Sequence, residues 1–292
     1  MILDSHLHVW DLASNGYDWL GPQHGDLYRS FTPEEARQEL ANAGVDAAVL
    51  VQAEDSERDT RFLLEVADGF DFVAGVVGWV QLDDPAVAAR QLDRYGRHAA
   101  LRGIRHLVHD DPRDDFLDLP SVRRSLGLLA AWELPFDVPD AWPRHLPAVG
   151  RLADELPGLT VVVDHLGKPP RGREDYDAWA RCLRDVAGRP NTVAKVSGLQ
   201  MAGQPLSAEA LRPVWELALA AFGPGRLMFG SDWPMTVPHG GYRPAWTVAS
   251  ELAGGLSADE REQFFAGTAT RVYRIGHAPG GPICLSVDDS MG

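Results

Sequence analysis

Asp4-Ser5-His6-Leu7-His8 sets two imidazoles two residues apart. On an extended strand, residues two apart project to one face. His6 and His8 would then grip one metal ion, or one substrate carbonyl, from the same side. Two histidines that only pack or face solvent satisfy the spacing equally, so its meaning depends on what else in the chain answers it. Further along, apolar runs end in groups that donate, accept or ionise: Gln52, Trp79 with Gln81, Arg105, Asp137, His165, Lys195 with Ser197, and Asp232. Each alone has an ordinary reading. Asp232 opens Asp-Trp-Pro, which reads as a turn. Arg105 can bridge to a surface acid, and Lys195 can snorkel or pair with a carboxylate. His106, next to Arg105, should point the other way. Eight such endings in register are harder to assign to chance.

Holding these groups together requires strands alternating with helices. Strands are expected at 2–7, 47–52, 72–80, 101–107, 135–138, 159–165, 192–197 and 226–230. Amphipathic stretches separate them. Thr32-Pro33-Glu34-Glu35 supplies an N-cap, a first-turn proline and first-turn acids, and Gly44 supplies the stop. Further helices are expected at 59–67, 83–97, 120–132, 143–156, 176–186, 207–222, 243–253 and 257–265. The alternation implies parallel βαβ units, and eight of them in about 230 residues match an α/β fold of one (β/α)8 TIM barrel. A doubly wound open sheet is the alternative, but the glycine-rich phosphate loop that usually marks it does not appear. The expected organisation is one barrel domain over 1–277 and a flexible tail over 278–292, where Gly and Pro cluster. In a barrel the active groups collect at the strand C-termini, and the aromatic loop 9–31 would roof them beside His8.

The bulk composition narrows the class. Of 292 residues, 45% are hydrophobic and 24% charged, as in soluble globular proteins. A net charge of −15 argues against nucleic acid, whose phosphates need a basic face. No run of eighteen apolar residues suggests a membrane span. No basic-then-apolar leader is visible, and Cys182 and Cys284 lack CxxC spacing, so both read as free thiols in the cytoplasm.

With these residues in place the chain resembles the amidohydrolase superfamily. The resemblance rests on Asp4-Ser5-His6-Leu7-His8, on Asp164-His165-Leu166-Gly167-Lys168-Pro169 and on Gly230-Ser231-Asp232-Trp233-Pro234. Val51-Gln52-Ala53, Gly103-Ile104-Arg105-His106 and Lys195-Val196-Ser197-Gly198-Leu199 make it most similar to the sugar-lactone branch, the L-fuconolactonase and L-rhamnonolactonase type. It spans residues 2 to 275. The resemblance implies that His6, His8 and Asp232 surround a metal or a hydrolytic water, with His165 beside them. Two-metal members carry a bridging lysine or glutamate on strand four and a histidine on strand five. Here strand four ends in Arg105 and strand five has no histidine, so the expectation is one divalent ion, zinc by ligand type, or none.

Opening a lactone needs an activated water, a polarised carbonyl and a proton for the leaving alkoxide. Asp232 is the expected general base. His6, His8 and His165 would polarise the carbonyl directly or through zinc, and Arg105 would meet the developing oxyanion. Gln52, Lys195 and Ser197 are expected to meet sugar hydroxyls, and Trp79, Trp233 and Trp10 the apolar face of the ring. The expected partner is a sugar lactone of carbohydrate catabolism, with homo-oligomer formation left open. A 2-pyrone-4,6-dicarboxylate-type lactonase or a superfamily decarboxylase is the alternative. It would need more cations than Arg105, Lys168 and Lys195 supply.

Overall fold

The structure is a computed structural model that describes residues 1–172 and 174–278. The tail expected over 278–292, with Cys284, lies outside the described residues apart from Ala278. Cys182 is a free thiol.

Eight parallel strands run in chain order around one sheet: β1 (Leu3–Leu7), β2 (Ala47–Val51), β3 (Val73–Gly78), β4 (Leu101–Arg105), β5 (Phe136–Val138), β6 (Val161–Val163), β7 (Thr192–Val196) and β8 (Leu227–Phe229). The sheet closes just beyond the ends of β1 and β8. There Asp232 N donates to His6 O at 2.8 Å and His8 N donates to Trp233 O at 2.7 Å. The fold is a (β/α)8 barrel, and the open-sheet alternative falls. Among the described residues no helix is long and apolar enough to cross a membrane.

The helices begin where local chemistry starts them. Helix α1 (Pro33–Ala43) follows Thr32, whose hydroxyl accepts from Glu35 N while the Glu35 carboxylate accepts from Thr32 N. Gly44, at φ 71°, ends it in the left-handed region where only glycine is free of strain. Helix α2 (Glu57–Gly69) starts two residues before the expected 59, because Ser56 rather than a later residue caps it. Helices α3 (Pro85–Tyr95), α4 (Pro120–Ala131), α5 (Leu146–Glu155), α6 (Tyr176–Ala187), α7 (Ala208–Phe222) and α8 (Tyr242–Leu252) follow their strands. The final helical stretch is split: α9 (Ala258–Glu262), a π turn (Gln263–Gly267) and α10 (Thr268–Val272).

Strand β6 stops at Val163, two residues before the expected 165. His165 and Leu166 adopt φ values of 56° and 53°, and such successive left-handed residues cannot continue a strand. Loop 9–31 is fastened at its ends by reciprocal backbone hydrogen bonds between Trp10 and Phe31. A small apolar cluster joins Leu3, Val49, Val51, Val77, Val162, Val193 and Met228 to Ala266, Ala269 and Tyr273, so the C-terminal segment packs directly on the barrel strands.

Candidate active site

Closing the barrel brings its first and last strands together, and that seam carries Asp232 to the two histidines. Asp4, on the same face as His6, ties the seam. Its Oδ1 accepts from His6 N at 3.0 Å and Ser231 N at 2.9 Å, and its Oδ2 accepts from Tyr242 OH at 2.9 Å. Burial pushes the Asp4 carboxyl up to about 6, against these hydrogen bonds. Gly230 permits the close approach: a Cβ there would stand 2.6 Å from His6 Cβ. Asp232 itself is held at φ 57°. Non-glycine residues cost about 1–3 kcal/mol in such conformations, and they concentrate at functional sites.

Three imidazoles surround Asp232. Its Oδ1 lies 3.5 Å from His8 Nε2, 3.7 Å from His6 Nε2 and 3.9 Å from His165 Nε2, and its Oδ2 accepts from Gln200 Nε2 at 2.7 Å. Burial alone would raise the Asp232 carboxyl. The His165, His8 and His6 rings oppose this and draw the group well below the usual carboxylate range. Burial pushes His6 and His165 down, and the Lys195 ammonium adds to the effect at His6. His165 Nδ1 pairs with Ser197 Oγ at 2.8 Å, and Gly198 (φ 58°) lies so close behind that a Cβ would come within 2.2 Å of the ring.

Behind His6 lies a buried ionic group. Lys195 Nζ sits 2.6 Å from Asp137 Oδ2 and 3.1 Å from Asp164 Oδ1, with all three side chains fully buried. Tyr273 OH, from beyond α10, donates to Asp137 Oδ2 at 2.8 Å. Arg105 Nη1 approaches Asp164 Oδ2 at 3.5 Å, while its Nη2 donates to Gln52 O. The Asp164 oxygens make no aligned hydrogen bond, with Lys195 Nζ at 3.1 Å, Arg105 Nη1 at 3.5 Å and His6 Nδ1 at 3.5 Å around them. Burial raises the Asp137 carboxyl to about 6, while Lys195 and His6 draw Asp164 well below its ordinary value against its own desolvation.

A cavity of about 420 Å³ opens over this group. His8, Arg105, His165 and Asp232 reach it, with Trp10, Trp19, Leu107 and Met235 as an apolar wall and His24, His109, Asp110, Asp140, Lys168 and Gln200 as polar surroundings. His6 is fully buried just beneath. Of the six residues expected to meet substrate, Trp10 lines the cavity and the other five stand elsewhere. Gln52 is buried against Asp55 and the Arg105 carbonyl, and Trp79 Nε1 donates to His106 Nδ1. Lys195 is enclosed by its carboxylates, Ser197 sits behind His165, and Trp233 packs edge-on against Phe31. None of the five lines the cavity. His106 is a packing residue, stacked on Phe116 at 4.1 Å and paired with Asp55 and Asp111.

His6 Nε2, His8 Nε2 and Asp232 Oδ1 stand 3.2, 3.5 and 3.7 Å from one another. Neighbouring ligands of a tetrahedral zinc are about 3.3 Å apart, so the three fit one divalent ion in type and spacing. A second grouping, His6, Asp164 and His165, shares His6 and already faces Lys195 and Arg105, so a further cation there would meet like charge.

The amidohydrolase family matches residues 3–275. The chain belongs to that family. This amidohydrolase is 35% identical over 283 residues to an L-fucono-1,5-lactonase of Burkholderia ambifaria, covering 95% of this chain and 97% of the relative. It is 34% identical over 286 residues to an L-fucono-1,5-lactonase of Burkholderia multivorans, covering 94% and 96%. A crystal structure of a Burkholderia multivorans amidohydrolase with bound zinc superposes with a TM-score of 0.84 at 34% identity, covering 94% of this chain and 99% of the other. Within this amidohydrolase, sequence reasoning gave no role to Asp4, Asp164, Gln200 or His24. Asp4 continues the His6–His8 alternation and Asp164 precedes His165, so both carried a signal. Gln200 lies in a loop and His24 in a short 3-10 helix (Pro22–Leu27), where no periodicity marks them.

Proposed function

We propose that this amidohydrolase opens a sugar-acid lactone by water attack on the ester carbonyl. The observation that carries the reading is Asp232 at the cavity floor, ringed by three histidines and facing a wall of two tryptophans. The near full-length similarity to two L-fucono-1,5-lactonases supports it. Trp10 and Trp19 offer an apolar face to a sugar ring, and Lys168, Asp140, His109 and Gln200 offer donors and acceptors to its hydroxyls.

In this reading water attacks the carbonyl carbon as Asp232 takes one of its protons. Arg105 and His165, both at the cavity floor, stabilise the oxyanion that forms. The tetrahedral intermediate collapses by breaking the bond to the ring oxygen. Asp232 returns the proton to that oxygen, leaving a hydroxy acid and the aspartate as it began. His6, His8 and Asp232 would hold a divalent ion, which when bound would supply Lewis-acid polarisation of the carbonyl.

The surrounding charge favours a neutral lactone over a dicarboxylate. Lys195 is enclosed, which leaves Arg105 and Lys168 as the fixed cations on the cavity against Asp110, Asp140 and Asp232. A pH-indicator screen of aldono-1,4- and 1,5-lactones, with and without chelator, tests the reading. Acid release from an aldonolactone is expected. Turnover of a pyrone diacid alone would replace the reading.

A further inference from the structure

A line of side chains links the ends of β6, β7 and β8. Gln200, in the loop after β7, lines the cavity and donates from Nε2 to Asp232 Oδ2 at 2.7 Å. Among the described residues that is the shortest polar contact of the carboxylate. The nearest nitrogens of His8, His6 and His165 stand 3.5, 3.7 and 3.9 Å from its Oδ1. The last torsion of an aspartate is broad and nearly two-fold, so the backbone alone does not set the carboxylate plane. A donor fixed on one oxygen does. The loop that carries Gln200 is exposed from Ala202 to Pro205, yet it is gripped on both sides of Gln200. Arg171, from the segment after β6, donates from Nη2 to Leu199 O at 2.8 Å and from Nη1 to Pro205 O at 3.3 Å. Lys168 Nζ donates to Gly198 O at 2.9 Å. Arg171 is only 6% exposed and does not line the cavity. A buried cation is costly unless paired, and among the described residues this one is given backbone carbonyls rather than a carboxylate. Its fork fixes the path of the loop before and after Gln200.

We propose that Gln200 is the positioning residue of Asp232: by holding Oδ2 it turns Oδ1 toward the histidines and the attacking water, and Arg171 acts through it by fixing the loop. The amide touches the carboxylate and not the reacting atoms, so its loss should slow turnover more than it weakens binding. The part played by water rests on the hydrolase reading. The orientation of the carboxylate does not, and it can be read without substrate.

The test compares crystal structures of the unaltered protein and of Gln200→Met, which keeps the length of the side chain without its amide. In the variant the Asp232 carboxylate is expected to turn so that Oδ1 leaves the three histidines; an unturned carboxylate overturns the proposal. Steady-state kinetics on an aldonolactone that the unaltered enzyme opens reads the consequence. Gln200→Met should lower kcat by about 10–100-fold with KM nearly unchanged. A raised KM at unchanged kcat would make Gln200 a substrate contact and overturn the proposal. Arg171→Lys keeps the charge and the stem and loses the fork. It should lower kcat in the same direction, and the double variant should be no slower than Gln200→Met alone, because both act through one amide. Losses that multiply in the double variant overturn the part assigned to Arg171. If the unaltered protein opens no lactone, the hydrolase reading fails and the two crystal structures alone decide the role of Gln200.

Discussion

At the scale of single residues, the site is a matter of which atoms are forced close. Gly198 lies behind His165 at φ 58°, with no room for a Cβ. Gly198→Ala should therefore push the ring off its position over Asp232. Catalysis is expected to fall by about 100-fold in kcat/KM, since misplacement by about 1 Å can cost that much. Steady-state kinetics with a circular dichroism check of folding measures it, and an unaffected kcat/KM would mean His165 is not held from behind. The residues legible in sequence at this scale were those whose alternation put them at a strand end: His6, His8, Arg105, His165 and Asp232 converge within the site. Alternation tells which side of a strand a residue faces and not how deep it lies. Lys195 and Ser197 accordingly stand one layer behind the cavity, the first clasped by Asp137 and Asp164, the second by His165.

At the scale of elements, loop 9–31 is positioned by one buried carboxylate. Asp59, in the first turn of α2, accepts from Tyr17 OH at 2.8 Å and Asn15 Nδ2 at 3.2 Å on one oxygen, and from Ala53 N at 2.8 Å on the other. Trp19, from the same loop, donates to Ala53 O at 2.7 Å and reaches the cavity. Asp59→Ala is expected to cost about 2–3 kcal/mol in urea unfolding, the penalty for stranding buried donors. It should raise KM more than it lowers kcat, because the loop walls the cavity while the polar partners of Asp232 are Gln200, His6, His8 and His165. An unchanged KM would detach the loop from substrate binding. The strand–helix alternation was readable because strands and helices impose different hydrophobic periods. Loop placement was not, since Asp59 acts through hydrogen bonds over more than forty residues of chain. The turn after β6 was missed for a similar reason: apolar Val161–Val163 runs smoothly into Asp164, and only the left-handed His165 and Leu166 break it.

At the scale of the whole molecule, the C-terminal segment is part of the barrel. Tyr273 is fully buried and donates to Asp137, which holds Lys195, which in turn holds His6. Tyr273→Phe removes a hydrogen bond to a buried charged acceptor. It should lower stability by about 1.5–3 kcal/mol, read as a lower urea midpoint at unchanged slope. An unshifted midpoint would mean that the segment contributes packing alone. The net charge of −15 acts at this scale too: it repels anions, so on the proposed chemistry it leaves entry of a neutral lactone unopposed and favours departure of the acid product. All three scales converge on Asp232, and the most direct measurement is turnover of an aldonolactone by Asp232→Asn beside the unaltered enzyme, both in chelator. The unaltered enzyme is expected to release acid, and the variant, left without a carboxylate to move the proton, to lose about 10²–10⁴-fold in kcat. Turnover that survives the substitution unchanged would contradict the account.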